Sequence, residues 1–134
     1  MFAGAEGVQS IEITNGSRVS GNRADRGGAI YADSGPIRSL TITYSATLSG
    51  NAANEHGGAI AACRMQFLSV GSGGSIFNNS AVENGGGIAA ERIDSMYLAN
   101  GSLSSNIAQL QGGAVFTPWL GSLHTSEGSS IVNN

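Results

Sequence analysis

The 134-residue chain has no lysine, one cysteine, two prolines and charged side chains at only 11% of positions. Its six cations are all arginines, Arg18, Arg23, Arg26, Arg38, Arg64 and Arg92, scattered along the sequence. No basic patch is available to track a phosphate backbone, which argues against nucleic acid and anionic membrane surfaces as partners. No run of about 18 apolar residues exists to span a bilayer, so no membrane insertion is expected of this segment. The opening Met1-Phe2-Ala3-Gly4-Ala5-Glu6 lacks the charged start and apolar core of a signal peptide, so any export signal is expected to lie elsewhere. With Cys63 alone there is no internal disulfide, and thiol usage leaves the compartment open.

What is abundant is small and polar. Twenty-one glycines and 19 serines bring the composition into the range of low-complexity chains. Yet 40% of residues are hydrophobic and the net charge is only −3, so the signature of a disordered segment is missing. The length suits one domain, residues 1–134.

Order comes from a repeat. The segments VSGNRADRGGAIYA (19–32), LSGNAANEHGGAIAA (48–62), IFNNSAVENGGGIAA (76–90) and LSSNIAQLQGGAVFT (103–117) share one pattern, and IVNN (131–134) begins it again. The pattern reads apolar-x-x-Asn, Ala two residues later, then Gly-Gly-Ala-apolar. Asn22, Asn51, Asn79, Asn106 and Asn134 recur every 27 to 29 residues. The pairs Gly27/Gly28, Gly57/Gly58, Gly85/Gly86 and Gly112/Gly113 follow the same beat. Between them lie short alternating runs such as Ser10–Thr14, Ser39–Thr43, Ser95–Leu98 and Ser122–His124, a strand signal. Each unit therefore predicts three short strands and three turns, with no helix.

A three-strand circuit cannot bury its apolar side alone, whereas stacked copies can, each rung hydrogen-bonding to the next about 4.8 Å away. The expected fold is all-β, a parallel β-helix or β-solenoid of four to five rungs with about 28 residues per rung. A propeller blade would need about 40 to 45 residues. In a solenoid the five Asn predict a structural ladder of stacked amides, and the Gly pairs predict turns in which a Cβ would obstruct the backbone or the next rung. The expected core is Ile30, Ile60, Ile88 and Val115; Val19, Leu48, Ile76, Leu103 and Ile131; and Ile13, Ile42 and Leu98. Neither end carries a polar capping unit, so the chain is expected to be part of a longer solenoid or to meet protein partners or neighbouring rungs at open ends.

The GGA-apolar and apolar-x-x-Asn motifs, alternating four times over about residues 10–134, resemble the repeat of the chlamydial polymorphic outer membrane proteins. The resemblance implies a right-handed parallel β-helix, an extracellular or cell-surface location and a role as an exported passenger segment. In that family the Asn motif usually opens with Phe, and the Phe form is tied to host-cell adhesion; here Val19, Leu48, Ile76, Leu103 and Ile131 stand at that position. The expected function is a non-catalytic surface module acting in adhesion or as a passenger segment, with a cell-surface receptor or glycan as partner. A structural component of an extracellular filament, wall or appendage is the alternative, and a polysaccharide-acting enzyme a distant third.

Candidate chemistry is sparse, and no catalytic residue, cofactor or metal site is assigned. Asp25, Glu55 and Glu83, each two residues before a Gly pair, would stack on adjacent rungs, close enough to share Ca²⁺ or to raise a pKa. Solvated turn residues are the default reading, with Arg26 and His56 beside them to offset charge, and Leu110 breaks the column. His56 and His124 fall at different corners. Cys63 reads as a spectator, Gly71-Ser72-Gly73-Gly74 as a turn, and Trp119 as a sugar-stacking aromatic or a loop residue covering a rung. Ice binding would need a threonine column, whereas the outward positions read Glu12, Thr41, Tyr97 and His124. Sequons at Asn15, Asn78 and Asn100 are possible glycosylation sites, although a chain rich in Asn and Ser yields such triplets by chance.

Overall fold

The computed structural model describes residues 2–3 and 6–134, with side chains from residue 6 onward. It is an all-β parallel solenoid of about four turns, and no described residue is helical. Three sheets run along the stack, and in-register partners on neighbouring rungs lie 27 to 30 residues apart. The second sheet takes the apolar-x-x segment of each repeat: Arg18–Ser20, Thr47–Ser49, Ser75–Phe77, Ser102–Ser104 and Ser130–Val132. The third takes the alanine that follows each Asn: Arg23–Ala24, Ala52–Ala53, Ser80–Ala81 and Ile107–Ala108.

The long sheet differs from the expectation of uniformly short strands. In the central rungs the GGA-apolar segment and the following alternating run fuse into 12-residue strands, Ile60–Gly71 and Ile88–Ala99. In the flanking rungs the same path is split, into Ile30–Ala32 and Ile37–Ile42 on one side and Val115–Phe116 and Trp119–Thr125 on the other. Each break holds a proline. Pro36 falls where the step from Ala32 to Ile37 faces the shorter step from Ala62 to Met65, so that rung bulges. Pro118 sits opposite Glu91 and has no N–H to donate to the ladder.

Inward side chains form columns along the axis. Ile30, Ile60 and Ile88 make one; Ile37, Met65 and Ile93 another; then Leu40, Leu68 and Met96, and Leu48, Ile76 and Leu103, all buried. Like residues stack on like because period two along a strand keeps each column on one face. The columns lose cover towards the last rung: Leu120, Leu123 and Ile131 are 40–47% exposed, although in register with buried Ile93, Met96 and Leu103. Val19 and Val115 are half-buried.

Candidate functional site

The apolar-x-x-Asn motif has a simple physical basis. Asn51, Asn79 and Asn106 have no exposed surface, yet every polar atom of their amides is engaged. In Asn79, Oδ1 accepts from the backbone N–H of Asn51 at 2.9 Å and from its Nδ2 at 3.0 Å. Nδ2 donates to Asn106 Oδ1 at 2.9 Å and to the Leu48 carbonyl at 3.1 Å. The same scheme links Asn22 to Asn51 and Asn106 to Asn134. The carbonyl used is that of the apolar residue three positions before the preceding ladder Asn. That carbonyl explains the spacing: the apolar side chain enters the core while its backbone oxygen meets the next rung's amide.

The residue just before each ladder Asn was missed in the sequence pattern. Gly21, Gly50, Asn78, Ser105 and Asn133 all have φ between 53° and 69°. The column shares a left-handed backbone rather than a residue type, and Gly, Asn and Ser occupy it. A second left-handed corner carries Asn15, Tyr44, Ser72 and Asn100. The sequon residues Asn15, Asn78 and Asn100 thus all sit exposed at left-handed turns, a placement that Asn favours with or without a glycan.

The two glycines of each pair do different work. The first, Gly27, Gly57, Gly85 or Gly112, has φ of 58–67°, and a Cβ there would lie 2.0–2.4 Å from the carbonyl oxygen three residues on. The second is a close approach between rungs: a Cβ on Gly58 would stand 2.1 Å from the Gly86 oxygen and 2.5 Å from that of Ser80. Gly28, Gly86 and Gly113 are likewise closed off by backbone atoms within 2.6 Å.

The acidic column of Asp25, Glu55 and Glu83 is aligned by backbone hydrogen bonds from Glu55 to Asp25 and from Glu83 to Glu55. Each carboxylate takes its partner from a different rung. Arg26 donates to Glu55, His56 lies 3.3 Å from Glu83, and Asn54 donates to Asp25 at 2.9 Å. Among the described residues no group of three His, Cys, Asp or Glu is arranged to hold a metal ion. Leu110 continues the column as a side chain 68% exposed.

The outer face of the long sheet carries the remaining chemistry. Arg64 and Arg92, in register on adjacent rungs, both reach Asp94, and their hydrogen bonds hold its carboxyl below the ordinary range. The Arg92 guanidinium also lies 3.6 Å from the centre of the Trp119 ring, so that indole covers the side of a rung with 43% of its surface exposed. Phe67, Tyr97 and His124 make a continuous stack, with centroid distances of 5.0 and 4.5 Å. Beside the glycine turns lies a trough of about 380 Å³ floored by Ala61 and Ala89. Cys63 lies on its wall, half-buried, 3.5 Å from the Glu91 carboxylate; burial first and that carboxylate second push its thiol pKa up. Tyr31, at one end, donates to Asp33 at 2.9 Å, and that bond raises its pKa.

The fold and repeat define a parallel β-solenoid repeat protein. Residues 16–33, which carry the first apolar-x-x-Asn and Gly-Gly-Ala-Ile motifs, match the Chlamydia polymorphic membrane protein repeat. No curated protein and no solved structure matches the chain.

Proposed function

We propose that the chain is a non-catalytic, surface-displayed solenoid module that acts in adhesion or as a passenger segment. The observation that carries this reading is the match of residues 16–33 to the polymorphic membrane protein repeat, a family associated with the outer membrane, in a chain that repeats the same motifs through every rung. The buried ladder amides are spent on holding rungs together, and each carboxylate of the acidic column is already engaged by a neighbouring rung, Glu55 by Arg26, Glu83 by His56 and Asp25 by Asn54, so the stack acts as an inert rod presenting a patterned face. Labelled protein added to cultured epithelial cells tests the reading: saturable attachment, abolished by excess unlabelled protein, is expected, and attachment no greater than that of an unrelated solenoid refutes it.

A second reading is a structural element of an extracellular filament, wall or appendage. It is favoured by the exposed apolar side chains Leu120, Leu123 and Ile131, which a protein partner of an assembly would cover as Ile93, Met96 and Leu103 are covered. Concentration-dependent linear assembly, followed by light scattering and electron microscopy, would select it; a monomer at all concentrations would remove it.

A further inference from the structure

Of the chain's eight aromatic residues, Tyr31, Phe67, Tyr97, Phe116 and Trp119 all project from the outer face of the long sheet. Two of them bracket the trough. Tyr31, Ala61, Ala89 and Phe116 form one outward column, large, small, small, large, on successive rungs. At about 4.8 Å per rung the two rings stand roughly 14 Å apart, with only methyl groups between them. The volume of about 380 Å³ lies above those alanines, which are only 4% and 6% exposed at its bottom, and is walled by Arg26, Cys63 and Glu91 as well.

The lips differ in chemistry. Arg26, His56 and Asn84 line the trough ahead of the alanines, with Arg26 donating to Glu55 and Asn84 Nδ2 lying 3.4 Å from His56 Nδ1, and Asp33 and Glu91 line it beyond them. Arg26 pairs with Glu55 and His56 faces Glu83 at 3.3 Å, whereas Asp33 and Glu91 engage no cation among the described residues. The trough is therefore net acidic and open to solvent.

We propose that this trough binds a linear oligosaccharide of neutral or amino sugars, about three rings long, lying along the solenoid axis between Tyr31 and Phe116. The proposal rests on the reading of the chain as a non-catalytic surface module. A pyranose is about as wide as a rung is high. It presents an apolar C–H face to an aromatic ring or a methyl floor and a rim of hydroxyls to donors and acceptors on either side. Asp33 and Glu91, carboxylates that meet a phenol and a thiol but no cation, reject uronic or sulfated chains by like-charge repulsion and accept hydroxyls or an amine on their remaining lone pairs.

The test is calorimetric titration of the intact chain with the trimers of N-acetylglucosamine, glucose and mannose, and with galacturonate trimer as the acidic control. At least one neutral trimer is expected to bind, about tenfold tighter than its dimer, and the galacturonate trimer is expected not to bind. Ala89→Leu fills the floor and abolishes binding, and Phe116→Ala weakens it about tenfold, both with unchanged circular dichroism. The trough proposal is overturned if no neutral trimer binds, if dimer and trimer bind alike, if the acidic trimer binds equally well, or if the folded Ala89→Leu protein keeps its affinity. Release of new reducing ends from the trimer would instead refute the non-catalytic reading, whereas saturable cell attachment without trimer binding would refute the trough alone.

Discussion

Replacing Asn79 by Ala removes the middle of the amide ladder, and the structure sets the size of the effect. The side chain is fully buried and makes four hydrogen bonds, two accepted from Asn51 and one donated each to Leu48 and Asn106. Truncation strands the Asn51 backbone N–H and one Nδ2 hydrogen in a site sealed from water, and it leaves a small void. Asn106 Oδ1 keeps the backbone N–H of residue 79 at 3.2 Å and is only partly orphaned. At about 1–3 kcal/mol for each buried group left without a partner, the expected loss is about 4 kcal/mol. For a chain of 134 residues that lowers the melting temperature by roughly 12 °C or more. Asn22→Ala is the internal control. Asn22 is exposed and, within the ladder, donates to Asn51 without accepting from another ladder Asn, so its loss is expected to cost about 1 kcal/mol or less. Urea melts of the two variants separate the cases, and the double variant Asn51→Ala/Asn79→Ala should cost less than the sum of its parts because both truncations remove the one bond between the two side chains, Asn51 Nδ2 to Asn79 Oδ1. Equal effects of Asn79→Ala and Asn22→Ala, or additivity in the double variant, would refute the ladder as a cooperative element.

Three further outcomes follow from the turns and the charges. Gly58→Ala is expected to abolish cooperative unfolding, since its Cβ would lie 2.1 Å from a backbone oxygen, while Gly21→Ala, which meets nothing within 4 Å, should cost about 1–2 kcal/mol for φ of +69°. Ser45→Gly should raise the melting temperature slightly, by about 0.5 kcal/mol of stability, because Ser45 holds φ of +60° where Gly16 and Gly73 occupy the equivalent turns; a lower melting temperature would show that its side chain matters more than its backbone. Asp94 has a folded pKa lowered by Arg92 and Arg64, so its contribution is present above the ordinary carboxylate pKa and is lost as pH falls through the folded value. Melting temperature followed across the acid range should accordingly fall less steeply for Asp94→Asn than for the parent, and identical slopes would contradict that assignment.

Much of the stack is legible in the sequence because a solenoid writes its period directly into the chain: the ladder asparagines and paired glycines mark the corners, and the buried columns follow from them. What was hidden depends on conformation or on neighbouring rungs. The left-handed corner before each ladder Asn is filled by Gly, Asn or Ser, so identity conceals a shared backbone. Fusion of two strand signals into Ile60–Gly71 is visible only beside the proline-broken rungs. The trough was equally obscure. Tyr31 and Phe116 are 85 positions apart and meet one column only after steps of 30, 28 and 27 residues. Trp119, weighed alone in the sequence, gains its setting from Arg92 one rung away.

The register itself is the claim on which ladder, core and trough all depend. Disulfide trapping in a Cys63→Ser background tests it directly, with Thr41→Cys/Ser69→Cys as in-register neighbours and Thr41→Cys/Tyr97→Cys one rung further apart. Adjacent rungs about 4.8 Å apart lie within disulfide reach, and twice that distance does not. Rapid, near-complete oxidation of the first pair with none of the second is the expected result. Oxidation of the second pair, or failure of the first in a folded protein, would contradict the solenoid register.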